Sequence, residues 1–483
     1  MKVSSWLFAG LFWFLAGLPA ATYYVATNGS DSNNGTSTNT PFATPQKAVA
    51  ATLAPGDTIY IRGGTYALSS KVSPGSSKVG AAGNPIKLWA WPGEKPVFDF
   101  SGMTTADKAL DLRRNFWHVK GIEVRNAPNT GILIAGLGTI IEGCVVHDCG
   151  FDGIVLGSSS STATNVLILN CDSFRNYQTG SDGNQGDGFA GKSGCGPGNV
   201  FRGCRAWNNS DDGWDFYDAA AQSVVMENCW AFANGFDLWG YGAGWSGNGN
   251  GFKLGGASTT TAHFLTNCVT FGNRAKGFDH NNSHGGHTVV NCTGYANGGA
   301  NFSFFDTPNN GTLNRMINNA AFGGTLTNLD PTCVQTSNSW QLVTVTAGDF
   351  ASLDTSLATS ARNADFSLAT NSLFRLSAGS RLLDRGLNVG LPFNGARPDL
   401  GAFEFAAAVS QGPVWFESLR PINGGFSLIV TGLTGHGAVV LQASSNLTAW
   451  APISTNSATT GATQFLDAAA GNRPVRFYRA EEK

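Results

Sequence analysis

Residues 204–215 read Cys-Arg-Ala-Trp-Asn-Asn-Ser-Asp-Asp-Gly-Trp-Asp, and the outline of this stretch recurs along the chain. Each copy opens with a cysteine: Cys144, Cys171, Cys204, Cys229, Cys268 and Cys292. Three residues later comes an aromatic ring: His147, Phe174, Trp207, Phe232, Phe271 and Tyr295. In the last five copies an asparagine follows five residues after the cysteine: Asn176, Asn209, Asn234, Asn273 and Asn297. Such a repeat predicts a solenoid, in which equivalent residues of successive coils lie about 4.8 Å apart.

A glycine followed by an apolar residue comes later in most copies and extends the alignment. The pairs are Gly153-Ile154, Gly188-Phe189, Gly213-Trp214, Gly251-Phe252 and Gly277-Phe278. Two copies reach this pair only after insertions, at residues 177–186 and 235–249. Gly180 is an alternative partner for Gly153, but we favour Gly188 because Phe189 follows it. Short strands with turns between them, and no intervening helices, predict an all-β parallel β-helix from about residue 86 to 325.

Two columns that flank this glycine carry charged side chains. The residues before it are Asp152, Asp187, Asp212, Asn250 and Lys276. The residues two positions after it are Val155, Ala190, Asp215, Lys253 and Asp279. Stacking therefore predicts that four carboxylates crowd onto adjacent coils, with Lys253 one coil further along. The four are Asp187, Asp211, Asp212 and Asp215.

Crowded carboxylates need a counter-charge. Two of them 5 Å apart repel by roughly 3 kcal/mol at an effective dielectric constant of 20. Oxygen ligands with high negative charge are typical of a hard divalent ion, above all Ca²⁺. The alternative is that Asp-Asp-Gly and Asp-Gly are ordinary turn residues that face water.

Composition and charge limit the classes of partner. Among 483 residues, 42% are hydrophobic and only 13% are charged, and the formal net charge is −2. This balance gives no overall attraction to nucleic acid or to an acidic polymer, so a polyanion would have to bind locally, through a metal and a few basic side chains.

The first 21 residues predict a secreted protein. Lys2, an apolar run from Trp6 to Leu18, and Pro19-Ala20-Ala21 have the order of a signal peptide. The alternative, a membrane anchor, is disfavoured because the run is shorter than a full span, and no later stretch resembles a transmembrane segment. The six aligned cysteines predict a buried column, whereas Cys149 and Cys195 lie outside it and could form a disulfide.

The remaining segments predict two further parts. A helix within about residues 41–54 would cover the first coil, and residues 330–405, which lack the repeat, would cover the last coils of a domain spanning residues 22–405. Residues 406–413 have the composition of a linker. Strong alternation in residues 414–483 predicts a small β-sandwich-like module, either passive or used for attachment.

A metal next to a lysine indicates a reaction on uronate polymers. A cation on the uronate carboxylate stabilises the charge formed when the neighbouring C5 loses its proton, and a neutral amine can remove that proton. Asp215 and Asp279 would oppose the necessary fall in the pKa of Lys253, so the metal must neutralise part of the acidic cluster. The alternative is that Lys253 is a solvated or salt-bridged residue of the ladder.

Three segments resemble the family-nine pectate lyases. They are Gly186-Asp187-Gly188-Phe189-Ala190, residues 211–215 (DDGWD) and residues 250–256 (NGFKLGG), and residues 23–66 are similar to the start of those enzymes. The resemblance implies a right-handed parallel β-helix, cleavage of polygalacturonate or related pectin by Ca²⁺-dependent elimination, and an inward asparagine ladder. By matching position it implies Ca²⁺ ligands at Asp187, Asp211, Asp212 and Asp215, and Lys253 as the catalytic base.

Other residues are candidates for substrate binding. Trp239, Tyr241 and Trp245 would stack on sugar rings or simply pack within their loop. Lys192, Arg274 and Lys276 would bind uronate carboxylates or remain solvated charges. We interpret the aromatic column that begins at His147 as packing in the core. The sequence predicts a secreted monomeric lyase; the alternatives are a polygalacturonase-type hydrolase that uses paired carboxylates and a non-catalytic polysaccharide-binding adhesin.

Overall fold

A computed structural model describes residues 20–217, 222–256, 259–309, 311–405, 414–422, 425–434, 437–445, 449–470 and 476–482. Most of the predicted signal peptide and the whole predicted linker, residues 406–413, lie outside the described residues. Within them, short strands assemble into three long parallel sheets, which we call sheets A, B and C. This arrangement confirms the parallel β-helix.

Successive coils contribute one strand to each sheet in turn. Sheet A contains Thr22–Val25, Thr58–Ile61, Ile86–Ala90, Trp117–Lys120, Ile140–Glu142, Leu167–Leu169, Asn199–Arg202, Val224–Glu227, Phe264–Thr266, Thr288–Val290, Arg315–Ile317 and Val334–Thr336. Sheet B contains Gly64–Ala67, Pro96–Asp99, Glu123–Arg125, Val145–His147, Asp172–Phe174, Arg205–Trp207, Trp230–Phe232, Val269–Phe271, Thr293–Tyr295 and Ala320–Phe322. Sheet C contains Leu110–Leu112, Ile132–Ile134, Ile154–Leu156, Phe189–Ala190, Trp214–Asp215, Phe252–Lys253, Phe278–Asp279, Phe302–Phe304 and Thr327–Leu329.

The register of sheet C confirms the predicted alignment, including both insertions. Phe189 pairs with Ile154 on one side and with Trp214 on the other. The strand at Phe252 pairs with the strand at Trp214, across the longer insertion. The solenoid continues to Thr336, beyond the predicted end near residue 325, because the strands Thr327–Leu329 and Val334–Thr336 still pair with the preceding coil.

A left-handed residue forms the corner between sheets A and B. The position before each aligned cysteine has a positive φ, at Gly143, Asn170, Gly203, Asn228, Asn267 and Asn291. Glycine and asparagine adopt this conformation at the lowest steric cost. The corner therefore explains why only these two residue types occupy the position.

The interior of the solenoid is mainly apolar, and its buried polar side chains include a ladder of asparagines. The six aligned cysteines are fully buried, as predicted. Cys149 and Cys195 are buried free thiols, so they do not form the disulfide that the sequence allowed. The predicted asparagine ladder is present: the Asn209 side chain accepts from Nδ2 of Asn176 at 2.9 Å and donates to Oδ1 of Asn234 at 3.0 Å.

The aromatic column stacks as predicted, and its later rings are part of an apolar core, but that core lies outside the coils. Ring centroids are 4.7 Å apart for His147 and Phe174 and 4.4 Å apart for Phe174 and Trp207. These rings alternate with inward residues such as Val146, so they lie on the outer face of sheet B. Towards the last coils the column packs in a second apolar cluster with residues that follow the repeat, among them Phe350 and Phe374.

The two ends of the solenoid are covered by short elements. The helix Pro45–Ala50 lies within the predicted capping segment, and the Thr44 hydroxyl accepts a hydrogen bond from its third residue. At the other end follows the helix Ser339–Leu342. The chain then continues through the 3₁₀ helices Ala347–Asp349 and Thr355–Thr359, and the second of these lies against the middle of sheet B, where Arg205 donates to the carbonyl of Ala358.

The chain divides into two compact units, Met1–Phe405 and Ala406–Lys483. The second contains two antiparallel three-stranded sheets: Trp415–Ile422, Gly425–Thr434 and Thr460–Asp467, and then Val439–Ser444, Ala451–Asn456 and Phe477–Glu482. Leu428, Val430, Leu441 and Phe465 belong to its own apolar core. Among the described residues, no helix has the length and hydropathy needed to cross a membrane.

Candidate active site

Three carboxylates meet at one edge of sheet C. One oxygen from each of Asp187, Asp212 and Asp215 lies within 4.8 Å of the other two, and all three residues are buried. Asp187 and Asp212 end turns from sheet B to sheet C, and Asp215 points outwards from its strand. Lys253 is the direct neighbour of Asp215 on the next strand. The structure thus brings together four of the residues that the sequence singled out.

A ladder of hydrogen bonds fixes the aspartates that precede the glycine. Oδ1 of Asp152 accepts from the backbone N–H of Asp187 at 3.0 Å, and Oδ1 of Asp187 accepts from the N–H of Asp212 at 3.0 Å. Oδ1 of Asp212 accepts from the N–H of Asn250 at 2.6 Å. One oxygen of Asp187 and of Asp212 is thus held by the next coil, and the other remains for the site. We call this set of contacts the cleft ladder.

Two lysines pair with the free oxygens. Lys253 Nζ lies 3.0 Å from Oδ2 of Asp212 and 3.6 Å from Oδ2 of Asp215. Lys192 Nζ lies 3.0 Å from Oδ2 of Asp187 and 3.1 Å from Oδ2 of Asp215. Lys253 is 8% exposed, so its ammonium group is nearly enclosed by the cluster.

Burial and neighbouring charges shift the pKa values of the clustered side chains. Burial raises the pKa of Asp187 well above its usual range, and the charges of Asp215 and Asp152 raise it further. Burial, with the charge of Asp212, raises the pKa of Asp211 to about 8. Burial alone would lower the pKa of Lys253, but Asp212 and Asp215 raise it above its usual value. The carboxylates therefore oppose deprotonation of Lys253, as predicted for Asp215, whereas the role expected of Asp279 falls to Asp212 because Asp279 pairs with Lys276.

The cluster has the properties of a site for a hard divalent cation. Oδ2 of Asp212 is buried without a well-directed hydrogen-bond donor and meets only the ion pair with Lys253. Such an oxygen is costly to bury unless a charge compensates it. Because the donors are carboxylate oxygens held in place by the cleft ladder, they fit a cation that prefers oxygen ligands.

Two other predicted site residues hold the insertion at residues 235–249. Oδ1 of Asp211 accepts from the backbone N–H of Asn248 at 2.6 Å, and Asp211 is not one of the three clustered carboxylates. The Arg274 guanidinium donates to the carbonyl oxygen of Gly247. Lys276 pairs with Asp279, whose two carboxylate oxygens both lie 3.2 Å from Nζ.

The aromatic residues of the same insertion form a cluster with Tyr177. The Trp239 ring stacks on Tyr177 with a centroid distance of 4.7 Å, and the Trp245 ring lies 5.7 Å from Tyr177. Tyr241 is 44% exposed, whereas the two tryptophans are half-buried and less exposed than Tyr241. The rings thus pack within their loop and still face solvent, and their contact with sugar rings stays a prediction.

Two residues of the site went unrecognised in the sequence. Asp152 appears in the aligned column, but its backbone-holding role follows only from the direction of its side chain. Tyr217 donates its N–H to Oδ1 of Asp215 at 2.7 Å, and its ring lies 5.6 Å from Lys253 Nζ. The only signal for Tyr217 was its position two residues after Asp215.

A parallel β-helix with an acidic cluster and an enclosed lysine on one sheet defines a class of β-helical enzymes. The sequence model of the Pel9A-like right-handed β-helix region matches residues 23–319. Pectate lyase L of Dickeya dadantii (strain 3937) is 41% identical over 394 residues, which cover 79% of this chain and 90% of that protein. The chain therefore belongs to the Pel9A-like β-helix family.

Two solved structures agree with this assignment. The crystal structure of pectate lyase Pel9A has a TM-score of 0.74 and 39% identity, and the match covers 80% of this chain and 96% of that one. A rhamnogalacturonan lyase has a TM-score of 0.65 and 27% identity, with 74% of this chain and 97% of the other covered. The architecture is thus the right-handed parallel β-helix of this family.

Proposed function

We propose that this protein is a pectate lyase that cleaves polygalacturonate and related pectin by Ca²⁺-dependent β-elimination. The observation that carries the proposal is the enclosed amine of Lys253, 3.0 Å from Asp212 and 3.6 Å from Asp215 at the edge of the acidic cluster. The similarity to proteins named pectate lyase supports the same reaction.

Asp187, Asp211, Asp212 and Asp215 are the residues that would hold the cation. Three of them already converge, and Asp211 adjoins Asp212 in the same turn. When bound, Ca²⁺ would neutralise the carboxylates and draw charge from the uronate carboxyl group of the substrate. The cleft ladder contributes by fixing one oxygen of Asp187 and one of Asp212 in advance, so that little ordering remains to be done on binding.

Lys253 is the residue that we propose removes the C5 proton. The amine must be neutral to accept it, and the charges of Asp212 and Asp215 hold it protonated until they are compensated. The electrons of the broken C5–H bond form a double bond to C4, and the C4–O4 bond breaks. The departing oxygen takes a proton from solvent, and the product carries an unsaturated sugar at its new end.

The remaining candidates would bind the polymer around this centre. Lys192 lies 3.0 Å from Asp187 and 3.1 Å from Asp215, and we assign it to a substrate carboxylate once the cation has taken its place beside these aspartates. Lys276 and Arg274 would act in the same way only after release of their contacts with Asp279 and Gly247. The rings of Trp239, Tyr241 and Trp245 would contact sugar faces beside the centre.

We further propose that the protein is secreted and acts as a monomer. The order of charge, apolar run and small residues in the first 21 residues supports secretion. Amino-terminal sequencing of protein recovered from the medium should begin near residue 22, and sedimentation should give the mass of one chain. Intact residues 1–21 on the recovered protein would contradict the signal peptide.

The reaction is tested by one assay with two readouts. Polygalacturonate is incubated with and without Ca²⁺, and both ultraviolet absorbance and reducing ends are followed. Elimination should produce both signals, and a chelator should abolish both. Reducing ends without absorbance would mean hydrolysis, and neither signal on any uronate polymer would favour a binding protein. The solved rhamnogalacturonan lyase among the similar structures makes that polymer a necessary second substrate in the test.

A further inference from the structure

A cavity of about 530 Å³ lies along the turns that follow strands of sheet B, and it is lined by none of the residues proposed to hold the cation or remove the proton. Its walls come from the turns that follow three successive strands of sheet B, near Asn126, Asp148 and Arg175, and from the tip of the 235–249 insertion. Its volume is within the range of sites that hold small ligands or single sugar units.

The cavity is close to the catalytic centre along the chain and in space. Tyr177 lines the cavity, and Gly186 immediately precedes Asp187. A Cβ atom at Gly186 would lie only 2.9 Å from the Cα of Tyr177, so these two backbones are in contact. A polymer that extends from the centre along the stacked turns would therefore reach the cavity.

One wall is aromatic and firmly held. Trp239 stacks on Tyr177, and both rings line the cavity. The Asp237 carboxylate accepts hydrogen bonds from the backbone N–H groups of four residues at the tip of the insertion, Trp239, Gly240, Tyr241 and Gly242. A contact between the two insertions, from Ser246 N–H to the carbonyl of Asp182 at 2.7 Å, fixes the loop further. A preformed aromatic wall is suited to the apolar face of a pyranose.

The charges in the cavity cancel. Among the described residues that line the cavity, only Asp148 and Arg175 are charged, and they form an ion pair at 2.9 Å. Asp148 also contacts His147 at 2.7 Å. Because these two charges cancel, the cavity has no net positive charge to attract a uronate carboxylate. The side chains of Gln178 and Thr179 have no hydrogen-bond partner within the described part of the chain, and they are available for sugar hydroxyls.

We infer that this cavity is a subsite for an uncharged pyranose unit of the polymer cleaved at the neighbouring centre. The unit is either a methyl-esterified uronate or a neutral sugar of a mixed backbone, since both present hydroxyls and an apolar face without a carboxylate. The inference rests on the proposed lyase function and specifies its substrate.

Two substitutions test the subsite. Ala106 lines the cavity and is exposed, so Ala106→Trp fills the cavity without disturbing the core. Ala82→Trp, at an exposed alanine outside the cavity, is the matched control. Asp148→Asn keeps the shape of the side chain and leaves Arg175 without its counter-charge, so the cavity becomes cationic.

The variants are compared on de-esterified polygalacturonate, on a partly methyl-esterified form, and on a polymer that alternates galacturonate with a neutral deoxyhexose. Ala106→Trp should lower kcat/KM on at least one of the last two polymers by about fivefold more than on the first, the scale of one lost ring contact. The polymer on which kcat/KM falls further shows whether the uncharged unit is a methyl-esterified uronate or a neutral sugar. Asp148→Asn should lower KM for the de-esterified polymer, and Ala82→Trp should change nothing.

Failure of the subsite can be told apart from failure of the lyase function. If the native protein produces no absorbance on any polymer, the proposed function falls, and calorimetric titration with methyl-esterified trigalacturonate and with an oligosaccharide of the alternating polymer then decides the subsite. A weaker Kd of Ala106→Trp for either oligosaccharide supports the subsite, and unchanged Kd values for both overturn it. If the native protein cleaves but Ala106→Trp affects all three polymers equally, the subsite is also overturned.

Discussion

Each aspartate of the cleft ladder divides its two oxygens between structure and chemistry. Oδ1 of Asp212 accepts the N–H of Asn250, and Oδ2 faces Lys253. Asn250 occupies the next step of the same column and accepts the N–H of Lys276 at 3.3 Å through its amide oxygen. An asparagine can therefore perform the structural half of the task, whereas only a carboxylate can supply charge.

Substitutions at Asp212 should separate the effect of its hydrogen bond to Asn250 from the effect of its negative charge. Asp212→Asn keeps the acceptor for Asn250 and should leave the free energy of unfolding nearly unchanged, while Ca²⁺ binding is lost. Asp212→Ala leaves that buried N–H without an acceptor and should cost about 1–3 kcal/mol in addition. Urea unfolding and calorimetry measure the two effects. Equal stability of the two variants would show that the ladder contact contributes nothing.

Lys253 should be required for turnover and dispensable for the metal. Lys253→Ala removes the proposed base, so kcat should fall by at least about 10²–10⁴-fold while Ca²⁺ still binds. Lys253→Arg is the matched control: it keeps the positive charge but cannot become neutral near pH 7, so it should be equally inactive. The ultraviolet assay and calorimetry check both variants. Activity in Lys253→Arg would contradict the role of a neutral amine.

The aspartates of the cluster and Lys253 could be predicted from the sequence because aligned positions in successive coils lie next to each other in space. The choice of Gly188 over Gly180 decided which residues meet Asp212 and Asp215, and the register of Phe189 confirms that choice. The contacts of Asp211 and Arg274 with the 235–249 insertion could not be predicted, since an insertion has no equivalent in neighbouring coils. The roles of all these residues in binding and catalysis stay predictions.

At the scale of elements, a further polar ladder, distinct from the asparagine ladder and the cleft ladder, holds the turns between sheets C and A. Nδ1 of His263 accepts from the backbone N–H of Val224 at 3.1 Å, and Nδ1 of His287 accepts from the N–H of His263 at 3.1 Å. The next acceptor is the amide oxygen of Asn314, for the N–H of His287 at 3.0 Å. Asparagine and neutral histidine are therefore interchangeable acceptors at this turn.

This ladder should make the fold sensitive to acid. Burial lowers the pKa of His263 to about 3 from an ordinary value of 6.5, so the unfolded chain binds this proton at a higher pH than the folded one. Its contribution to stability is present above about pH 6.5 and is lost as pH falls towards 3. His263→Asn keeps the acceptor and should reduce the loss of the unfolding free energy over this range. Parallel pH profiles for both proteins would contradict the assignment.

The segment that follows the solenoid is attached to sheet B by buried charges. Asp172 accepts from Arg362 at 2.7 Å and pairs with Arg205 at 2.7 Å, and Arg205 also donates to the carbonyl of Ala358 at 2.7 Å. Because this segment has no repeat, the sequence did not show which residues it covers. That is also why the sequence predicted core packing for the aromatic column without showing that this core lies on the outer face of sheet B.

Removal of Arg362 should loosen this attachment. Arg362→Leu leaves Asp172 with one partner fewer and should lower the free energy of unfolding by about 3 kcal/mol. Faster hydrogen exchange in residues 339–405 should accompany the loss. Arg385→Leu, at an exposed arginine of the same segment, is the control and should change stability by less than about 0.5 kcal/mol. Equal exchange in both variants would contradict a role for the buried charges.

At the scale of the whole molecule, each of the two units has its own apolar core. The proposed centre lies entirely in the first unit. A chain that ends at residue 405 should therefore fold and cleave soluble polygalacturonate with kcat/KM within about twofold of the full chain, since no proposed site residue is removed. The same assay on both chains measures this. A loss of activity with an intact circular dichroism spectrum would show that the second unit takes part in catalysis.

The division near residue 406 was visible in the sequence because the repeat stops and strict alternation begins after a small-residue segment. The function of the second unit was not visible, since its strands carry no motif with a recognisable chemistry. Its two antiparallel sheets agree with the predicted sandwich-like architecture.

The buried thiols have a consequence for handling and for evolution. All nine cysteines are free and shielded, so no covalent cross-link supports the native state. Thiol reagents should leave the native protein intact and label it only when coils separate, which provides an intrinsic reporter of opening. In an oxidising compartment the nine cysteines can form non-native disulfides before folding buries them. This favours sequences that fold quickly.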